Sequence, residues 1–371
     1  MLFIQKYDET VLPEEFHFIN NVCAILYDQI VDLYRFKDYE NFNIHKIYFD
    51  NNFNKEEISS FKSTEELLQY LLSNKMHDKL TDALTKHVAT AVISDLSNFI
   101  YEAISAASKC KVTVAFSLLR KPFTDELTLL ERLFIEPKTF IENFYIEGDI
   151  KKYDPSNNFT SNKLDHFQLT KKCVSKLKFN SFLYPTLVHD LRYDKSFPGA
   201  IQELTNKSIH IVTNHKDYKT EAKSLNYIFD AVTNIDQYLG TFYINTHYLL
   251  LYSAAVIDEL YFRYLTDQEH HALRKSKALR RFFSLMLVRL THEEDPDTSI
   301  LKTVLTIFEN NKMKCSNCKF EFIPTGIDLE FYFFEENIKC PDCLQFAINS
   351  DEEFESFVSR FDDILNNSEA C

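Results

Sequence analysis

Four cysteines near the end of this 371-residue chain form two tight pairs, Cys315-Ser-Asn-Cys318 and Cys340-Pro-Asp-Cys343. A two-residue gap lets both thiolates of a pair reach one tetrahedral ion, and a second pair completes its shell. The spacing predicts a structural Zn2+ held by Cys315, Cys318, Cys340 and Cys343. Two disulfides or four free thiols are the other arrangements open to these residues. Cys23, Cys110, Cys173 and Cys371 have no partner spacing. A cluster that must stay reduced, with scattered single thiols, fits a reducing compartment.

The stretch between the pairs alternates. Phe320 and Phe322 interleave with Lys319, Glu321 and Ile323; after Pro324-Thr-Gly326, Leu329, Phe331 and Phe333 interleave with Glu330, Tyr332 and Phe334. Period-two alternation around a Pro/Gly turn predicts a β-hairpin over about 319–334. Knuckle, hairpin and knuckle over 312–348 make a zinc ribbon, which resembles rubredoxin-like modules in spacing. Such knuckles often carry glycine just after the second cysteine, where the chain wants positive φ. Here those positions hold Lys319 and Leu344.

A second constellation is Arg263-Tyr-Leu-Thr-Asp-Gln-Glu-His270. Arginine followed by histidine after four to six residues resembles the active-site pattern of HEPN-type helical ribonucleases. Ala115-Phe-Ser-Leu-Leu-Arg120, continuing to Leu130-Glu131, is similar to helical segments of such bundles. The resemblance implies a metal-independent endoribonuclease of bacterial defence or toxin type. Arg263 would hold the scissile phosphate and His270 would move a proton at the ribose 2′-hydroxyl. Tyr264 departs from the polar residue that usually follows the arginine. Thr266-x-x-Glu269 also reads as a capping box, which would place Arg263 at one helix end and His270 at the next helix start.

Arg274, Lys275, Lys277, Arg280 and Arg281 follow closely. Arg274, Lys277 and Arg281 fall in one helical row, opposite a buried row of Leu279, Phe283, Met286 and Leu290. A basic row of this kind can receive an RNA backbone. Equally it can be a solvated face or pair with acids such as those at 293–295. His189-Asp190 resembles the motif of a third class, the HD-type metal phosphohydrolases, with His166 and Asp258 as the further ligands that resemblance requires.

These groups need a scaffold, and composition narrows it. Only 4 glycines occur, so P-loop, Rossmann and α/β-hydrolase folds, whose loops need glycine, fall away. The expected fold is mainly α: a multi-helix bundle with a small C-terminal zinc-ribbon β-hairpin and a terminal helix. Helices are predicted over about 13–36, 63–72, 78–108, 112–134 (broken or kinked at Pro122), 221–265 (interrupted at Gly240), 268–290 and 351–365. The segments are an N-terminal helical region (1–147), an irregular connecting region with short helices (148–220), a C-terminal helical region (221–311), the ribbon (312–348) and an acidic terminal helix (349–371).

The net charge of −14 disfavours indiscriminate binding to nucleic acid or an anionic membrane. The longest apolar run, Tyr248 to Ile257, is about half a membrane span, and the N-terminus lacks a signal-peptide core. No membrane association and a cytoplasmic location are expected. The aromatics Phe331 to Phe334 either fill the seam between ribbon and helices or meet a partner, with the seam favoured. Three functional readings follow: a helical ribonuclease acting on RNA, a non-enzymatic protein that binds a protein partner or a second copy of itself, and a metal phosphohydrolase.

Overall fold

Leucine, isoleucine and aromatic residues recur every three to four positions along most of the chain, and the computed structural model answers with helices. It describes residues 2–34, 60–157, 164–228, 233–264, 271–292, 302, 306, 312–362 and 365. The helices are α1 (His17–Val31), α2 (Thr64–Ser73), α3 (His77–Ala107), α4 (Val112–Arg120), α5 (Leu127–Ile135), α6 (Pro137–Ile141), α7 (Ile150–Tyr153), α8 (His166–Lys176), α9 (Pro185–Tyr193), α10 (Ile201–Ile209), α11 (Ile235–Phe262), α12 (His271–His292), α13 (Gly326–Glu335) and α14 (Asp351–Ser359). Strands β1 (Met313–Lys314) and β2 (Glu321–Phe322) form a two-stranded antiparallel sheet that pairs Met313 with Phe322. Among the described residues, no helix is long and apolar enough to cross a membrane.

The centre of the bundle is α11, which is buried from Tyr248 through Phe262. A helix that is apolar all round must be covered on all sides. Helices α1, α4, α5, α9 and α12 all pack against it. The sequence places the start of this helix near 221, but residues 221–228 form turns and α11 begins at Ile235. Gly240 does not interrupt it. A Cβ there would lie 3.8 Å from the Phe16 ring, an ordinary contact, so the position neither breaks the backbone nor demands a glycine.

Pro122 acts as expected, but by a specific route. A proline inside a helix removes one amide donor and crowds the carbonyl four residues back. The chain relieves this by widening into a π-helical turn over Lys121–Glu126 between α4 and α5, a distortion that often marks an irregularity put to use. The turn carries Glu126 inward, where it is 5% exposed. Burial first, then its hydrogen bond with Asp95, pushes the Glu126 carboxyl up to about 8, while the Lys121 ammonium, 3.3 Å away, opposes the shift.

The native protein therefore holds a proton that the unfolded chain, titrating near 4.5, releases. Stability from this group is present at low pH and is lost as pH rises from about 4.5 to about 8. Glu126→Gln is expected to flatten that slope. It should raise stability at pH 8.5 by roughly 1–3 kcal/mol relative to the parent, with little change at pH 5, as read from urea midpoints.

The stretch 148–220 contributes real structure. Its helices α8, α9 and α10 bury Leu169, Cys173, Val188, Leu191, Ile201 and Leu204 in the main core. That core is continuous: it runs from α1 through α11 and α12 into Cys315, Tyr332, Phe333 and Phe357 of the C-terminal module.

Candidate metal centre

The four cysteines converge. Their sulfur atoms all lie within 4.8 Å of one another, with Cys315 Sγ 3.7 Å from Cys343 Sγ and Cys318 Sγ 3.6 Å from Cys340 Sγ. A disulfide would bring a pair to about 2 Å, so both cross-pairs are unbonded thiols. Thiolates at 2.3 Å from a tetrahedral ion would sit about 3.8 Å apart, close to the spacing observed.

Each pair is wound the same way. Lys319 N–H donates to Cys315 O (2.9 Å) and Leu344 N–H to Cys340 O (3.0 Å). Cys315 N–H donates to Phe320 O and Cys340 N–H to Gln345 O, both at 2.9 Å. These turns need a left-handed residue after the second cysteine. Lys319 (φ 65) and Leu344 (φ 60) supply it without being glycine. The Cys318 backbone N–H, then that of Asn317, pull the Cys315 thiol down to about 7, while desolvation and the neighbouring thiols push those of Cys318 and Cys343 up. Cys315 and Cys340 are fully buried, and Cys318 is exposed. The donor set is all sulfur and suits a metal ion held in a closed four-coordinate site.

The two knuckles are tied to each other and to the tail. Ser316 Oγ donates to Ala347 O (2.9 Å) and to Glu353 Oε2 on α14 (2.5 Å), and Asn317 Nδ2 to Phe346 O (3.1 Å). Asn337 Nδ2 donates to Ile348 O (2.8 Å), and its Oδ1 accepts from Ile348 N–H (3.2 Å).

The predicted hairpin is corrected here. The second half of the stretch is the helix α13, not a strand. Thr325 and Asp328 form a capping box at its start: Asp328 Oδ2 accepts from Thr325 N–H at 2.7 Å and from Thr325 Oγ1 at 2.9 Å. Leu329, Tyr332 and Phe333, spaced three and four, turn inward. The hairpin is instead short and lies across the first knuckle, between β1 and β2.

Of the four aromatics of α13, Tyr332, Phe333 and Phe334 fill the seam with the helical body, whereas Phe331 meets Phe346 within the ribbon. Phe283 on α12 packs edge-on against Tyr332 (5.9 Å) and Phe361 (5.5 Å), and Phe334 packs edge-on against Phe3 (5.9 Å) and Phe18 (6.4 Å).

The basic residues of α12 are buried against neighbouring elements, some of the helical body and some of the ribbon, rather than lying on a free face. Arg281 is 1% exposed and donates from Nη1 to Asp258 Oδ2 (2.6 Å) and from Nε to Asn180 Oδ1 (3.2 Å). Lys277 donates to Asp258 Oδ1 (3.4 Å) and to Gln29 O (3.3 Å). Arg274 pairs with Glu259 at 3.4 Å and lies over the Phe262 ring. On the other side, Arg280 donates to Phe333 O (2.9 Å) and pairs with Glu336, covering the C-terminal carbonyls of α13. Lys275 reaches Asp362 at 2.8 Å, past the end of α14. The pairing acids are thus Asp258, Glu259, Glu336 and Asp362. The acids at 293–295 lie outside the described residues.

Arg263 ends α11 and is also engaged. Its guanidinium donates to Leu133 O (3.2 Å) and Phe134 O and stacks over the Phe134 ring, so it caps α5. His270 and the Thr266–Glu269 box lie outside the described residues. His189 Nδ1 contacts its neighbour Asp190 (2.9 Å), and His166 stacks on Tyr193 (4.2 Å). Asp258 is held instead by Lys277 and Arg281. Among the described residues, the cysteines are the group of histidine, cysteine and carboxylate ligands gathered closely enough for a metal. A cleft of about 590 Å³ between α1, α3 and α13 is lined by Phe3, Tyr27, Tyr34, Tyr101 and Phe334, and contains neither Arg263 nor His189.

No protein-family model, curated protein or solved structure matches the chain. The likeness to HEPN-type ribonucleases therefore has no family match behind it.

Sequence reading missed one buried network entirely. Arg192, on α9, is fully buried and grips Glu131 of α5 through two nitrogens, at 2.6 and 3.0 Å. Its Nε donates to Phe123 O (2.7 Å), and Tyr252 Oη donates to Glu131 Oε1 (2.5 Å). Glu131 and Arg192 are 61 residues apart; Glu131 entered only as the end of a segment similar to helices of HEPN-type bundles, with no partner assigned, and Arg192 falls in no recognisable motif. The one available signal is each charge's place on the apolar stripe of its own helix.

Proposed function

We propose that this chain is a non-enzymatic interaction protein in which a structural Zn2+, bound by Cys315, Cys318, Cys340 and Cys343, fixes a ribbon on a helical body for use by a protein partner. The observation that carries this reading is the use of the basic residues. Arg274, Lys277, Arg280 and Arg281 are each at most 7% exposed and face buried acids or carbonyls. A phosphate backbone needs such charges at the surface; here Arg274, Lys277 and Arg281 tie α12 to acids and carbonyls of the helical body, and Arg280 ties it to the ribbon. Four thiolates around one ion also leave no open coordination position for substrate, which is the arrangement of structural rather than catalytic zinc.

The ribonuclease reading supplies the direct test. If Arg263 serves as a helix cap, purified protein should leave single-stranded RNA intact in the absence of divalent metal. Arg263→Ala should then lower the thermal midpoint without altering any RNA signal. Cleavage by the parent that is lost in Arg263→Ala and in His270→Ala, with helicity and zinc content retained in both, would overturn the proposal.

A further inference from the structure

The ribbon covers its inner aromatics but leaves an outer apolar strip open. Ile327, in the first turn of α13, is 80% exposed. Phe331 lies one helical turn along the same face, and its ring centroid is 6.4 Å from that of Phe346. Phe346 is 46% exposed and Leu344, two residues earlier in the second knuckle, is 62% exposed. Scattered single apolar residues on a surface need no explanation, whereas contiguous ones mark a contact site. The strip is built on rigid parts: α13 is pinned by Arg280, and the second knuckle by its cysteines.

Its electrostatic setting selects the occupant. Glu330 is exposed beside Phe331 and Asp342 beside the second knuckle, with exposed Lys339, bridged to Phe346, opposing them. From 312 to 371 the sequence carries thirteen Asp or Glu against five Lys or Arg. A second copy would bring the same acidic field against itself, and like charges facing each other cost affinity. A partner with basic residues around apolar anchors would gain on both counts.

We infer that the face formed by Ile327, Phe331, Leu344 and Phe346 docks a basic, apolar-anchored segment of a protein partner. This deepens the interaction reading above and rests on it. The acids would steer approach, so association should weaken with salt, while the apolar anchors set the residence time.

The test is a selection of random-sequence displayed peptides on the intact, zinc-loaded protein, followed by measurement with one synthesised winner. Selected peptides are expected to be enriched in Lys or Arg together with two or more large apolar residues. Affinity should fall at least tenfold in Ile327→Glu and, independently, in Phe346→Ser. Both positions are exposed, and unchanged zinc content and helicity in each variant would show that the fold survives. Winners that are neutral or acidic would overturn the inference. So would basic winners indifferent to both variants; that result removes this face but leaves the interaction reading standing. A dimer of the parent that Ile327→Glu dissolves would assign the face to a second copy instead. Failure to select any binder would remove both the inference and its foundation.

Discussion

Cys340→Ser should empty the metal centre and unfold the ribbon while most of the helical signal remains. Elemental analysis is expected to fall from about one zinc per chain to near zero, because three remaining thiolates cannot close the shell. A module with a two-stranded sheet has too little core to fold alone, and structural zinc contributes about 10–16 kcal/mol in isolated small domains. Part of that energy is expected to support α12 as well. Arg280 is satisfied by Phe333 O and Glu336, and Ser276 Oγ lies 3.1 Å from Tyr332 Oη, so loss of α13 would strip partners from a buried helix. Hydrogen exchange should therefore rise across 312–348 and, to a lesser degree, across 271–292, with α3 and α4 unchanged. A freshly reduced parent without zinc, or a Cys340→Ser protein with parental exchange over 312–348, would contradict this account.

Arg192→Ala is expected to be the most damaging single change in the helical body, at about 3–5 kcal/mol. The cost comes less from the lost ion pair than from the charge left behind. Glu131, 1% exposed, would keep only Tyr252 and Thr170 as side-chain donors. Removing both charges tests this directly. Glu131→Gln combined with Arg192→Met should recover a large part of the loss, since a buried pair replaced by groups of similar shape is often close to neutral. The check is a double-mutant cycle on urea midpoints. Equal losses from the single and double variants would show that packing volume, rather than the stranded carboxylate, sets the cost.

These two sites bracket what the sequence could reveal. The cysteines were legible because metal geometry forces a fixed local spacing that survives in one dimension. Most helices were legible for the same reason: α3, predicted over about 78–108, spans His77–Ala107. The α13 stretch was ambiguous by composition. Leu329, Phe331 and Phe333 fit a strand as well as Leu329, Tyr332 and Phe333 fit a helix, and the deciding Thr325–Asp328 cap resembles an ordinary turn. The basic run on α12 gave its row but not its depth. Whether a row faces water or acid depends on Asp258, Glu259, Glu336 and Asp362, which a helical period cannot see. Glu131 and Arg192 were silent because their meeting is set by how α5 and α9 pack, not by anything near either residue.

The π turn at Lys121–Glu126 has a consequence for that meeting. Relative to a regular helix it accommodates an extra residue, which shifts the angular phase of everything downstream by about 100°. Helix α4 directs Ala115, Phe116 and Leu119 into the core, and α5, entered after the slip, is buried almost all round from Leu127 to Phe134. Deleting one residue between 121 and 126 should turn α5 by about 100° relative to α4 and swing Glu131 away from Arg192. The bulge thus works as a gear between two halves of one helix, and the charge buried at the heart of the bundle depends on its tooth count.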